Sequence, residues 1–338
     1  MLAARAAPSA DNSQPWSFRV SPGRLVCQYC ARGASDPFGP LGHASLLAAG
    51  AIHENLAKLG LSGAVAEAPV RRLSDDDWEL VVEHDEGAEH ALPEVAVSGI
   101  YERHTNRYPF KKRAVDGLAQ LLPEAGVRLE ILDSEAALVA MASSVDICSR
   151  ARFNDPDLHR WLFSSLRWSE AEAASGAGLD IATLHLPPGG RWFMRFISPW
   201  ERMRLFNRCG LYRILAAADS GLLRRGPAII AVVGGQSTEE IWDAGRVMQR
   251  TWIALNRAGI AVHPYYVVTD LGNRFADGRL LSQWRKPVGQ ALGCAAELLK
   301  LSQGERIHML FRVGYATAEP VRSRRLPLEF FLDQPHSN

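Results

Sequence analysis

No window of the chain approaches the ~18 consecutive apolar residues of a membrane-spanning helix. Its most apolar run, Ala228–Val233, is bounded by Pro227 and by Gly234-Gly235, and reads as a buried strand. An excess of one charge is also missing: 38 Lys+Arg stand against 37 Asp+Glu, a formal net charge of +1. Proteins that hold nucleic acid by bulk charge carry a basic surplus, so no nucleic-acid partner is expected. Cysteine is scarce. Cys27, Cys30, Cys148, Cys209 and Cys294 are odd in number, which excludes a disulfide framework and fits a reducing compartment. Met1–Pro8 lacks the apolar core of a secretory signal. No H-E-x-x-H, G-x-S-x-G or EF-hand loop is present. The expectation is a cytoplasmic protein without a membrane span. The 338 residues, 47% hydrophobic and 22% charged, suffice for one large domain or two ordinary ones.

Trp16–Val20 and Arg24–Cys30 flank the turn signal Ser21-Pro22-Gly23 and read as a hairpin. Ala44–Leu59 has the spacing of a helix that stops at Gly60, and Val70–Leu73 and Trp78–Val82 read as strands. A new segment opens near Ser98. It carries helical runs at Asp116–Leu122 and Ser134–Arg150 around a strand at Val127–Leu132. Towards the C-terminus a strand (Ala228–Val233), a helix (Glu239–Ala258) and two strands (Ile260–Val268, Ile307–Val313) follow. Ala48-Ala-Gly50 with Leu59-Gly60 echoes Asp243-Ala-Gly245 with Ala258-Gly259, as two degenerate copies of one unit would.

Some motifs have plainer readings. Cys27-Gln-Tyr-Cys30 lies in a strand-like run with no second pair to complete a zinc site and no helix N-terminus to lower a thiol pKa. Gly234-Gly235-Gln236-Ser237 lacks the lysine of a phosphate loop, and Ser237 with Glu240 forms a capping-box pattern instead. His84-Asp-Glu and Glu89-His90 fall in an acidic loop with no spacing to converge them on a metal. Arg191–Arg225 is the most unusual stretch, with eight arginines against Glu201 and Asp219, and six aromatics. It reads as a lid or crossover over the protein's own core, or as a membrane-surface or partner-docking helix, or as a nucleic-acid strip.

Two stretches carry chemistry. Pro8-Ser9-Ala10-Asp11-Asn12-Ser13-Gln14-Pro15-Trp16 is dense in short polar side chains and can line a planar polar ligand, or simply cap and turn the chain. Arg103-His104-Thr105-Asn106-Arg107 offers two guanidinium forks and a hydroxyl to a dianionic phosphate, and Arg322-Ser323-Arg324-Arg325 offers a further fork. A solvated basic face is the competing reading of both clusters.

Pro8-Ser9-x-x-Asn12-x-Gln14-Pro15-Trp16 resembles the signature of the FMN-dependent nitroreductase family. Arg103-His104-Thr105-Asn106-Arg107-x-x-Phe110, the long helix ending at Gly259 with Val262-His263-Pro264, and Arg312-Val313-Gly314-Tyr315 with Ser323-Arg324-Arg325-Leu326-Pro327 are similar to its other conserved stretches. The order differs from that of an ordinary subunit, because the P-S-x-x-N run precedes the arginine run and is not repeated after it. This looks like the family's fused, pseudo-dimeric Acg-type branch.

The resemblance implies an α+β fold, a mixed, mostly antiparallel sheet flanked by helices. It would be present as two degenerate copies: residues 1–97 as a partial half and 98–338 as a second half with a lid insertion at about 186–226. It implies FMN held once per chain, with NAD(P)H and a small conjugated acceptor as partners, in a monomer or weak homodimer. Arg103, His104, Thr105, Arg324 and Arg325 fall in the phosphate-binding stretches, with Arg103, Thr105 and Arg325 as the principal contacts and Arg107 toward the flavin's N1–C2 edge. Pro8, Ser9, Asn12, Pro264 and Tyr265 line the ring system. No side chain is assigned as a general acid. Storage of FMN behind a lid is the rival to turnover.

Overall fold

Gly23, at φ +64°, closes the turn that returns Trp16–Ser21 antiparallel onto Arg24–Tyr29. In the computed structural model, which describes residues 1–31, 39–61, 69–83, 99–122 and 127–332, this hairpin begins a four-stranded sheet completed by Trp78–Glu83 and Val70–Leu73. A second four-stranded sheet contains, in spatial order, Arg128–Leu132, Ala228–Gly234, Arg306–Gly314 and Ala261–Tyr265. Every pairing in both sheets is antiparallel. A two-residue parallel ladder, Leu166–Arg167 with Leu179–Asp180, lies apart from them.

The two sheets share one connectivity. In each, the first two strands pair, a long helix follows the second, the third strand takes the far edge, and the fourth inserts between second and third. The long helices are His43–Leu61 and Thr238–Arg257, the latter begun by a Ser237/Glu240 capping box. They cross where Gly50 meets Gly245. A Cβ on Gly50 would overlap the Trp242 carbonyl, and one on Gly245 would overlap that of Leu47, so each glycine admits the other helix's backbone. One turn on, Gln249 donates to Asn55 at 2.7 Å while Arg250 grips Glu54 through two 2.7 Å bonds.

Packing follows the strand period. Along Ala228–Gly234, Ile230 and Val232 join the core shared by both sheets and the crossed helices. Ile229, Ala231 and Val233 face a second core with Leu138, Met141, Val145, Leu271 and Val288. The tail returns to the first sheet: Phe18 N donates to Phe331 O at 2.6 Å, and the Phe331 ring packs 5.4 Å from Phe18.

Three local expectations need correction. The strand expected over Ile260–Val268 ends at Tyr265, and Val267–Ala276 is a helix. Val267, Val268 and Leu271 are buried there, so tertiary packing outweighs the β-preference of two valines. The expected helix Asp116–Leu122 shrinks to Leu118–Leu121. The helix expected to stop at Gly60 runs through that glycine to Leu61. Residues 97–98, where the two halves were expected to meet, and the His84–His90 loop lie outside the described residues.

Candidate functional site

The Pro8–Trp16 run is held in an uncommon backbone. Asp11, Asn12 and Gln14 have φ of +46°, +58° and +52°, left-handed values that L-residues adopt only when bonded into place. Ser9 Oγ accepts from Gln14 N at 2.9 Å. The carbonyls of Gly176, Gly178 and Arg324 surround Asn12 Nδ2 at 3.0, 2.8 and 3.0 Å. Gln14 Nε2 donates to Gly176 O at 2.9 Å, and Gln14 Oε1 accepts from Leu326 N at 3.2 Å. Gly176 is at φ +80°, where a Cβ would overlap the Arg325 carbonyl. The run is thus clamped to both Gly176–Gly178 and the C-terminal arginine segment.

Arg103–Arg107 is pinned against the long second helix. Asn256 Oδ1 accepts from His104 N (2.9 Å), the His104 carbonyl accepts from Trp252 Nε1 (2.9 Å), and Asn106 N donates to Val262 O (2.8 Å). This anchoring brings Arg103 beside Arg325. Arg103 Nη2 donates to Ala6 O at 3.0 Å and Arg325 Nη2 to the same carbonyl at 3.4 Å. Arg325 Nη1 also donates to Asn12 Oδ1. The Arg103 guanidinium lies 4.6 Å over the Trp252 ring, and its buried Nε has no hydrogen-bond partner. Among the described residues no carboxylate pairs with Arg5, Arg103 or Arg325. Burial and the neighbouring Arg325 lower the Arg103 pKa to about 9; burial and Arg5 lower that of Arg325 to about 10. Guanidiniums gathered without a counter-charge form a receptor for an anion.

These groups open on a cavity of about 730 Å³. It is lined by Pro8, Ser9, Asn12, Arg103, His104, Thr105, Arg107, Pro264, Tyr265 and Arg325, ten of the eleven residues expected at the site. Arg324 is the exception. Its side chain points outward to Glu170 at 3.3 Å, although its carbonyl serves Asn12.

Segment 186–226 folds as helices Gly190–Ile197, Trp200–Arg208 and Leu211–Arg224, and contributes Met194, Ile197, Met203, Leu215 and Leu222 to the lining. It also brings Asp219, which sequence reasoning did not single out. Ser149 Oγ donates to Asp219 Oδ2 at 2.7 Å, Tyr265 OH donates to the Asp219 carbonyl at 3.0 Å, and burial raises its carboxyl pKa. The available signal was an acid at the centre of a Leu215–Asp219–Leu222 helical stripe. Arg107 donates to Thr183 O at 3.3 Å and Oγ1 at 3.4 Å, with Asp11, Tyr265 and Asp219 countering the burial that lowers its pKa. Trp252, Thr183 and Arg5 were also not singled out.

No family model matches the chain. It is 24% identical over 290 residues to PigM, a probable NAD(P)H nitroreductase of a Serratia species, with 78% of each chain covered. It is also 24% identical over 285 residues to an uncharacterized protein of Mycobacterium tuberculosis, spanning 78% of this chain but 37% of that one. Among solved structures, a nitroreductase-like family protein from Bacillus cereus aligns with TM-score 0.37 and 13% identity over 71% of this chain and 95% of that one. Among the described residues, no helix is long and apolar enough to cross a membrane and no cluster of metal-ligating side chains occurs.

Proposed function

We propose that this chain is an FMN-dependent oxidoreductase of nitroreductase type, a fused pseudo-dimer that holds one flavin between its halves. The observation that carries this is the Arg103–Arg325 pair, half-buried without a carboxylate partner among the described residues and with an unsatisfied Arg103 Nε, in the cavity that the Pro8–Asn12 run also lines. The donor set fits a terminal phosphate: two guanidinium forks plus the hydroxyl of Thr105. Arg107 supplies positive charge for the pyrimidine edge of the ring system, and Pro8, Ser9, Pro264 and Tyr265 supply its walls. FMN, when bound, supplies the hydride chemistry that takes electrons from NAD(P)H and passes them to a nitroaromatic, a quinone or another conjugated acceptor. The side chains bind, orient and tune; none is assigned a proton transfer. The similarity to PigM agrees with this reading.

The shared connectivity of the two sheets and the reciprocal Gly50/Gly245 crossing support the pseudo-dimer. What stands at the exchanged positions supports one flavin per chain. With Gly50 matched to Gly245, the cavity-lining Leu47 and Met248 correspond to Trp242 and His53. There Trp242 Nε1 donates to His53 Nδ1 at 3.1 Å, and the fully buried indole meets Trp78 edge-on at 5.5 Å. That place is filled by an indole.

A second reading, FMN storage with little turnover, is favoured by the roof that segment 186–226 builds over the cavity. The test is the visible spectrum of the purified protein, then anaerobic addition of NADPH or NADH. One flavin equivalent per chain that bleaches supports the oxidoreductase. Flavin that persists with both donors supports storage. No flavin, even after reconstitution with FMN, overturns both.

A further inference from the structure

The outer face of segment 186–226 has a composition that the cavity does not explain. Its helices bury Ile197, Met203, Ala216 and Leu223 on the inner side. Outward they leave Trp192 at 72%, Ile214 at 68% and Leu205 at 57% exposure, three of the four most exposed large apolar side chains among the described residues. Trp192 stacks on Phe196 at 5.6 Å, Phe196 meets Phe206 edge-on at 5.6 Å, and the Arg202 guanidinium lies 5.1 Å over Phe196. This gives a continuous aromatic ridge.

All eight arginines of Arg191–Arg225 are exposed, and among the described residues none is in an ion pair. Glu201 is the only exposed carboxylate in the stretch, since Asp219 lines the cavity. With the whole chain at +1, the basic charge is concentrated in this segment and the remainder is net acidic. Arginines unopposed by acids, interleaved with exposed indole, phenyl and aliphatic groups, complement a surface that is anionic at its boundary and apolar just beneath.

We propose that this face docks on an anionic lipid bilayer, with the Trp192–Phe196–Phe206 ridge and Leu205 entering the headgroup region and the arginines meeting lipid phosphates. A nucleic-acid strip fits less well. Stacking on bases would leave the exposed aliphatic groups of Leu205 and Ile214 without a role. The proposal does not depend on the flavin reading.

The test is flotation of the full-length protein with vesicles of phosphatidylcholine alone, or of phosphatidylcholine mixed with phosphatidylglycerol, at low and high salt. The expected result is co-flotation with the anionic vesicles only, reversed by salt. Arg204→Gln and Arg208→Gln should each lower partitioning about fivefold. Trp192→Ser should lower it with the salt dependence kept. Absence of flotation at low salt, equal flotation with neutral vesicles, or unchanged partitioning of the arginine variants would overturn the proposal. So would preferential binding of a single-stranded oligonucleotide. Circular dichroism of the variants, all at exposed positions, separates lost docking from lost folding.

Discussion

Replacing Arg103 with Ala should weaken FMN binding while leaving the flavin-free protein nearly as stable as before. In the free chain this guanidinium has one hydrogen bond, to the Ala6 carbonyl, which Arg325 also serves. Its Nε is unsatisfied, and Arg325 beside it is a like charge. Removal sacrifices a cation–π contact with Trp252, about 0.5–1 kcal/mol, and relieves a buried positive charge, so the two effects oppose each other. The free protein should stay within about 1 kcal/mol of the parent. A phosphate loses one charge-assisted contact of about 1.5–3 kcal/mol, a roughly ten- to 150-fold rise in FMN Kd. Urea denaturation reads the first quantity, and quenching of flavin fluorescence reads the second. Riboflavin, which has no phosphate, is the control and should bind both proteins alike. Equal losses for FMN and riboflavin would refute a phosphate contact. A free protein weakened by more than about 3 kcal/mol would make Arg103 a structural residue.

Gly50→Ala should destabilise the fold by at least about 1–3 kcal/mol, because the added Cβ overlaps the Trp242 carbonyl and lies 2.9 Å from Arg246 N, both backbone atoms that cannot swing away. Denaturant titration checks it, and a parental midpoint would show that the helices do not cross there. A pH effect follows from His308, whose pKa burial, reinforced by Arg306, lowers to about 4. Below the ordinary value of about 6.5 the unfolded chain takes up a proton that the folded chain refuses. Stability contributed by this group is therefore complete above pH ~6.5 and lost as pH falls towards 4, by at most about 3 kcal/mol. Urea titrations at both ends of that window should show a smaller acid loss in His308→Gln; identical losses would place the effect elsewhere.

The long helices were legible because each has apolar spacing over several turns, and Ser237 with Glu240 marks one start, although Gly60 lies inside the first helix and does not stop it. The second sheet's connectivity was not. Residues 133–227 separate its first two strands, whereas the hairpin at Gly23 joins those of the first sheet directly, so only three-dimensional pairing exposes the match. The return of the tail to the first sheet is made by a backbone hydrogen bond and bridge at Phe18 and by ring contacts of Phe331 with Trp16 and Phe18, with no periodicity to announce it.

At the site, residue types were legible but orientations were not. Arg324 and Arg325 are identical side chains one position apart, yet one reaches Glu170 outside the cavity and the other lines it. What selects Arg325 is distant in sequence: the glycine at 176 lets its carbonyl approach, and Asn12 takes the Arg324 carbonyl on one side and the Arg325 guanidinium on the other. Asn12 therefore acts as the clamp that aims the anion-binding arginine, a role its place in a polar run does not reveal. Chain regions near residues 12, 103, 176 and 325 must all be in place before the charge pair exists. A half-buried guanidinium pair without a counter-charge weakens the free fold, and no single local segment would retain it for its own stability. Its persistence across four separate segments is the physical reason to expect an anion there.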